Sequence, residues 1–217
     1  MKDKQEDDMV KTLIVSAYPG CGKSYMYNHC NGEPYIMLDS DSSKFSWIYE
    51  NGQKTDKRNP NFVKDYVKHI AKNFGRVDVI FISTHKEIRE ELIRIGLNFA
   101  VVIPELGMKD EWMKRLIFRG TNDEAFYRFQ EENYEKFIQE IQDQARQTNL
   151  DSLKCTEQLR VYNSGIVIPP PMCVLELTKD CPYIDNDVIY SLKLVTEAGS
   201  PGYFNSNLEA LRHEALK

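Results

Sequence analysis

The stretch Val15–Tyr25, VSAYPGCGKSY, decides how the rest of the chain is read. An apolar run, KTLIVSA over Lys11–Ala17, leads into it and reads as a short buried strand. Pro19, Gly20 and Gly22 then turn the chain, and Lys23-Ser24 stands where a helix is expected to open. A loop that cradles phosphate must direct several backbone N–H groups inward, which calls for glycine where dihedrals are unusual or the anion comes close. It also needs a lysine that reaches the outer phosphates and a hydroxyl that ligates Mg²⁺. Gly20, Gly22, Lys23 and Ser24 supply these groups in order, with Pro19, Cys21 and Tyr25 completing the expected cofactor-binding set.

Working outward, the same strand-then-helix pattern recurs. PYIMLDSD (Pro34–Asp41) is an apolar strand ending on acids, Ser42–Tyr49 reads as a short helix or loop, and Asn51–Pro60 as a polar connection. Phe62, Tyr66, Ile70 and Phe74 recur at helical spacing. VDVIFIST (Val77–Thr84) predicts a third strand, HKEIREELIRIG (His85–Gly96) a helix stopped by glycine, and FAVVIPE (Phe99–Glu105) a fourth strand. Helices are expected over Lys109–Arg119 and Asp123–Gln147, a last strand over Met172–Leu177 behind Pro169–Pro171, a helix from about Asp185 and a short one at Leu208–Leu216. Alternating strands and helices with short connections predict an α/β fold with a mainly parallel sheet flanked by helices. Ligands in such sheets bind beyond the carboxyl ends of the strands, here Ala17–Gly22, Asp39–Asp41, Thr84-His85 and Pro104–Met108.

Composition narrows the classes. The 217 residues are 41% hydrophobic, enough for one substantial core, and the formal net charge of −5 lacks the uniformly basic footprint of a general DNA-binding protein. Five cysteines form no CxxC pair and His29, His69, His85 and His213 are scattered, so reduced thiols in a cytoplasmic protein are expected rather than a zinc site. The charged start MKDKQEDDMVK predicts no leader, and no apolar run is long enough for a membrane span. The expected organisation is a charged tail at 1–10, one domain over 11–197 with a lid at about 106–122, and a polar tail at 198–217.

Ala17-Tyr-Pro-Gly-Cys-Gly-Lys23-Ser24 has the Walker A spacing, with Ala17 in place of the first glycine. The competing dinucleotide turn, Gly20-x-Gly22-x-x-Tyr25 followed by Asp39, puts a bulky Tyr25 where close helix packing needs a glycine. Cys21 sits where the backbone field and Lys23 favour a lowered thiol pKa, against the alternative that the loop merely tolerates a cysteine there. Asp39 and Asp41, beside the loop, are candidates for Mg²⁺ and acceptor work, against the alternative that Asp41 and Ser42 only cap a helix. Lys44, His85 and Arg89 are candidate acceptor contacts, while Trp47 reads equally as acceptor contact or packing. Arg115 and Arg119 share a helix face with Lys114 nearby, and in a lid they would neutralise the transferring phosphate; the alternative is a solvated basic face. No acid closes the third strand and no NKxD motif is present, which favours a small kinase over a motor ATPase or GTPase.

Taken together, GCGKS, DSDSS and MKRLIFRG resemble the P-loop nucleotide and nucleoside kinase superfamily, and within it the small kinase-like proteins of bacteriophages and prophages. The resemblance covers roughly Lys11–Gln147. It implies a P-loop NTPase fold with a helical lid, ATP and Mg²⁺ as cofactors, and transfer to a nucleoside monophosphate or nucleoside. Lys23 and Ser24 would bind phosphate and metal, Asp39 or Asp41 would serve metal or acceptor, and Arg115 or Arg119 the lid. A phage-encoded protein would then work in the bacterial cytoplasm. Two alternatives remain open: a kinase acting on a polynucleotide or a modified DNA base, less favoured than a small nucleotide acceptor, and a nucleotide-binding viral component without catalysis.

Overall fold

The structure, a computed structural model, describes residues 12–32, 34–120, 123–160, 172–179 and 184–197. The terminal tails, Pro169–Pro171 and the expected helix at Leu208–Leu216 lie outside the described residues. Five strands form one parallel sheet: β1 (Leu13–Ala17), β2 (Met37–Asp39), β5 (Val79–Ile82), β6 (Phe99–Pro104) and β7 (Met172–Leu177), in the spatial order β2-β5-β1-β6-β7. The three central strands are buried at every position, which is why LIVSA, VIFI and FAVVIP are continuous apolar runs rather than alternating ones. From β1 the chain moves to one side through β2 and β5, then crosses to β6 on the other. That reversal places a crevice at the carboxyl end of β1.

Helices α1 (Lys23–Cys30), α3 (Phe62–Asn73), α4 (Lys86–Arg94), α5 (Lys109–Phe118), α6 (Glu124–Arg160) and α7 (Asn186–Glu197) flank the sheet. Phe62, Tyr66, Ile70 and Ile88, Leu92 are buried, as their helical spacing requires. Within α5, Trp112, Met113 and Leu116 are buried, so the helix is packed along its inner face; its far end, with Phe118 94% exposed, stands in solvent. α6 runs on to Arg160, beyond the Gln147 limit set by apolar periodicity. Among the described residues no helix is long and apolar enough to cross a membrane.

One expectation is corrected. After the short α2 (Ser43–Ser46), residues read as loop and polar connection form an antiparallel hairpin, β3 (Trp47–Glu50) and β4 (Gln53–Arg58), separate from the main sheet. Asn51 and Gly52, at φ 51° and 78°, supply the two positive-φ positions of a two-residue hairpin turn. β4 is exposed at almost every position, so it lacks the apolar alternation by which strands are recognised.

Candidate functional site

The loop between β1 and α1 is fixed from three sides. Trp112 Nε1, in the fully buried indole of α5, donates to Pro19 O at 2.8 Å. Tyr18 O–H donates to Gln130 Oε1 of α6 at 2.8 Å, and Ile184 N–H, just before α7, donates to Cys21 O at 3.1 Å. Tyr18 N–H also donates to Val102 O at 2.9 Å. The carbonyls of residues 19 and 21 are thus engaged by protein donors, and Cys21 N–H donates to Tyr18 O at 3.1 Å within the loop. Gly20 and Gly22, at φ 87° and 97°, take the left-handed conformation that makes this path possible, and Gly22 caps α1.

Lys23 Nζ folds back onto Ala17 O at 2.7 Å, across the mouth of the loop. Burial lowers its pKa from the ordinary lysine value, opposed by Asp39 and Asp41 and reinforced by Arg119. The Cys21 thiol contributes no charge to this balance near neutrality, because burial pushes it up to about 12 despite Lys23 and Arg115. The expected low-pKa thiol is thus corrected: full burial outweighs the loop's positive field.

Ser24 Oγ donates to Asp39 Oδ2 at 2.7 Å, joining the first residues of α1 to the end of β2. Asp41 lies beyond it, exposed, and accepts from Ser43 N–H and Ser43 Oγ–H at 2.9 Å each. Asp41 thus holds Ser43, the first residue of α2, whose N-cap Ser42 makes no side-chain cap hydrogen bond, while Asp39 faces the loop. Arg119, the C-cap of α5, disfavours the charge of Lys23, and Arg115 favours the thiolate of Cys21. Arg115 lies over the Trp112 ring, 5.1 Å from its centroid, and pairs with Glu111 at 3.4 Å.

The remaining candidates separate. His85 shares a hydrogen bond of 2.7 Å with Ser83 Oγ and meets Phe62 edge-on; burial lowers its pKa, Glu87 opposes that, and Arg58, Arg89 and Lys23 add to it. Arg89, read as an acceptor contact, is instead 2% exposed and committed to α6 and its own turn. It donates to Gln144 Oε1 at 2.6 Å, Glu140 Oε1 at 3.0 Å and Thr84 O. Lys44 is exposed on α2. The Tyr25 side chain is exposed and stacked on His29, with ring centroids 4.1 Å apart. Trp47 packs in the hairpin, with Lys54 and Arg58 over its ring at 4.4 and 4.2 Å.

Sequence reasoning missed Trp112, whose role follows from a fold contact 93 residues away in the chain. It also missed Tyr66 and Ser40. Tyr66 O–H donates to Ser40 O at 2.5 Å and accepts from Ser83 N–H at 3.3 Å, tying the ends of β2 and β5 together. Ser40 Oγ is buried between the two acids with no hydrogen-bond partner among the described residues. No described group of three or more His, Cys, Asp or Glu is placed to hold a metal ion by itself. The Ser24–Asp39 pair suits Mg²⁺, which takes few protein oxygens and completes its shell with water and phosphate. No protein-family model matches the chain, and a search of curated proteins finds no match.

Proposed function

We propose that this chain is a P-loop phosphotransferase that moves the γ-phosphoryl group of ATP, in the presence of Mg²⁺, to a nucleotide-type acceptor. The observation that carries the reading is the Ser24 Oγ–Asp39 Oδ2 contact of 2.7 Å beside a half-buried Lys23, at the carboxyl end of the central strand. Bound ATP would supply the activated phosphoryl group. Gly20, Gly22, Lys23 and Ser24 would offer backbone N–H groups to its phosphates, and Lys23 would leave Ala17 O to neutralise charge on the outer ones. A lysine held in the loop by one carbonyl, with its charge disfavoured by burial, gains from an anion what it lacks without one.

Ser24 and Asp39 would hold Mg²⁺ through a hydroxyl and a carboxylate. Asp41, exposed one step beyond and electrostatically coupled to Lys23, would accept the proton of an acceptor hydroxyl or orient the acceptor. Arg115 and Arg119 would stabilise the charge that spreads over the transferring group. An enzyme hydrolysing ATP without an acceptor needs a group that orients water beside the loop; β5 ends in Ser83, Thr84 and His85 instead of an acid.

Titration calorimetry of ATP with Mg²⁺ and with EDTA tests the reading. Wild type should bind more tightly with Mg²⁺, and Ser24→Ala and Asp39→Asn should each erase most of that difference. A Mg²⁺ effect that survives both substitutions contradicts the assignment.

A further inference from the structure

Charge is segregated along this chain. Its formal net charge is −5, yet residues 42–76 hold eight of the 28 Lys and Arg and only three of the 33 Asp and Glu. These residues form α2, the β3–β4 hairpin and α3, and they follow directly on Asp39 and Asp41. Lys64, Lys68 and Lys72 recur every four residues along α3, all exposed, as one row of cations. On the hairpin, Lys54 and Arg58 lie over Trp47, and Lys57 is exposed, with Glu50 as its neighbour at 3.7 Å.

The hairpin is tied to α2 and α3. Asn59 N–H donates to Ser46 O at 3.0 Å, and Asn59 Nδ2 donates to Phe45 O at 2.9 Å and to Asp65 Oδ2 at 3.0 Å. Phe45 in turn packs on Tyr66 and His69 of α3, with centroids 5.1 and 4.9 Å apart. The cations also share a field. Lys72 and Lys44 both act on His69, and Arg58 acts on His85 at the end of β5. The cations thus sit on α2, the hairpin and α3, and α3 meets the edge that carries Asp39 and Asp41 through Tyr66 O–H, which donates to Ser40 O at 2.5 Å.

We infer that the acceptor is carried on a polynucleotide, and that α3 and the hairpin bind the single-stranded backbone leading into the site. This rests on the phosphotransferase reading and names its substrate class. A mononucleotide brings one or two charges to the acceptor position and gains little from a cation row extending along α3. A strand brings one phosphate per nucleotide, at intervals that such a row can match, and releases counterions as each is neutralised. Lys54 and Arg58, seated over the Trp47 ring, are held by the hairpin as fixed cations that a strand's phosphates can meet.

The test is fluorescence anisotropy of a labelled single-stranded DNA of about 20 nucleotides, without ATP, across about 50–200 mM NaCl. Two variants sit outside the phosphate-binding machinery: Lys64→Gln/Lys68→Gln/Lys72→Gln and Lys57→Gln/Arg58→Gln. Each phosphate contact contributes about 0.7 to the slope of log affinity on log salt, so the triple variant should lower that slope by about 2. Over the fourfold salt range this removes about 16-fold of the salt effect. Lys23→Ala should bind the strand like wild type.

Absence of binding at low salt, an unchanged slope in both variants, or equal competition by poly-glutamate overturns the inference. Strand binding without phosphoryl transfer to any acceptor would instead sink the phosphotransferase reading and leave the strand surface standing. Transfer to mononucleotides without strand binding would do the reverse.

Discussion

Replacing Gly20 with alanine tests whether α5 fixes the loop between β1 and α1. The glycine has φ 87°, a conformation that costs an alanine about 1–2 kcal/mol. Its added Cβ would lie 3.0 Å from Trp112 Nε1, 3.3 Å from Leu116 Cδ2 and 3.4 Å from Trp112 Cε2. Trp112 has no room to yield: it is fully buried and its only donor is bound to Pro19 O. Overpacking and loss of that hydrogen bond together add about 2–3 kcal/mol, for a total of about 3–5 kcal/mol. Gly75→Ala is the control, since Gly75 has φ 76° but open space where a Cβ would stand, and it should cost only the backbone term. Urea unfolding at a slope of about 2–3 kcal/mol per M should separate the two midpoints by about 1 M. In a Trp112→Phe background, which removes the indole Nε1, the extra cost at Gly20 should shrink by about 1–2 kcal/mol. If Gly20→Ala and Gly75→Ala unfold within about 0.5 kcal/mol of each other, the argument that α5 braces the loop fails.

The other predictions concern groups whose burial sets their behaviour. Arg89→Met removes a guanidinium with three partners and should destabilise by about 2–3 kcal/mol, less than a fully buried pair because Glu140 keeps partial solvent access; an unchanged urea midpoint would contradict this. Burial holds the folded-state pKa of His85 below its ordinary 6.5, so the unfolded chain binds its proton first and stability falls as pH drops through and below that value. His85→Gln should flatten the decline, leaving the part that His69 contributes in the same direction; an unaltered pH–stability curve would refute it. Iodoacetamide at about pH 8 should label half-buried Cys30 well before Cys21, whose thiol stays protonated, and mass mapping that finds Cys21 labelled first would overturn that.

Much of the fold is legible in the sequence because burial on both faces leaves a plain mark. LIVSA, VIFI and FAVVIP are apolar throughout, and the helices before and after VIFI show their inner faces as Phe62–Tyr66–Ile70 and Ile88–Leu92. The hairpin leaves no such mark, since QKTDKR holds no apolar side chain and is exposed at five of its six positions; its one signal is the Asn51-Gly52 pair between two short runs. Spatial strand order is likewise invisible to periodicity, which records that β5 is buried but not that it lies between β2 and β1.

The site divides the same way. Lys23 and Ser24 follow one another in the motif and are legible from it, whereas Asp39 reaches Ser24 from β2, which β5 separates from β1, so only its place at a strand end is legible. Arg89 shows the limit. On sequence it stands at the catalytic edge of α4, but its neighbours Glu140 and Gln144 come from a helix about 50 residues on, and they turn a candidate contact into an internal brace. Trp112 errs in the opposite direction, an apolar position of a basic helix that reaches the loop through a single indole N–H.

The most direct measurement is ADP release from ATP and Mg²⁺ by wild type and Lys23→Ala, with nucleosides, nucleoside monophosphates and 5′-hydroxyl oligonucleotides as acceptors. Release that depends on both an acceptor and Lys23, greatest with the oligonucleotides, is the predicted result. Full activity in Lys23→Ala, or release indifferent to every acceptor, would contradict the phosphotransferase account.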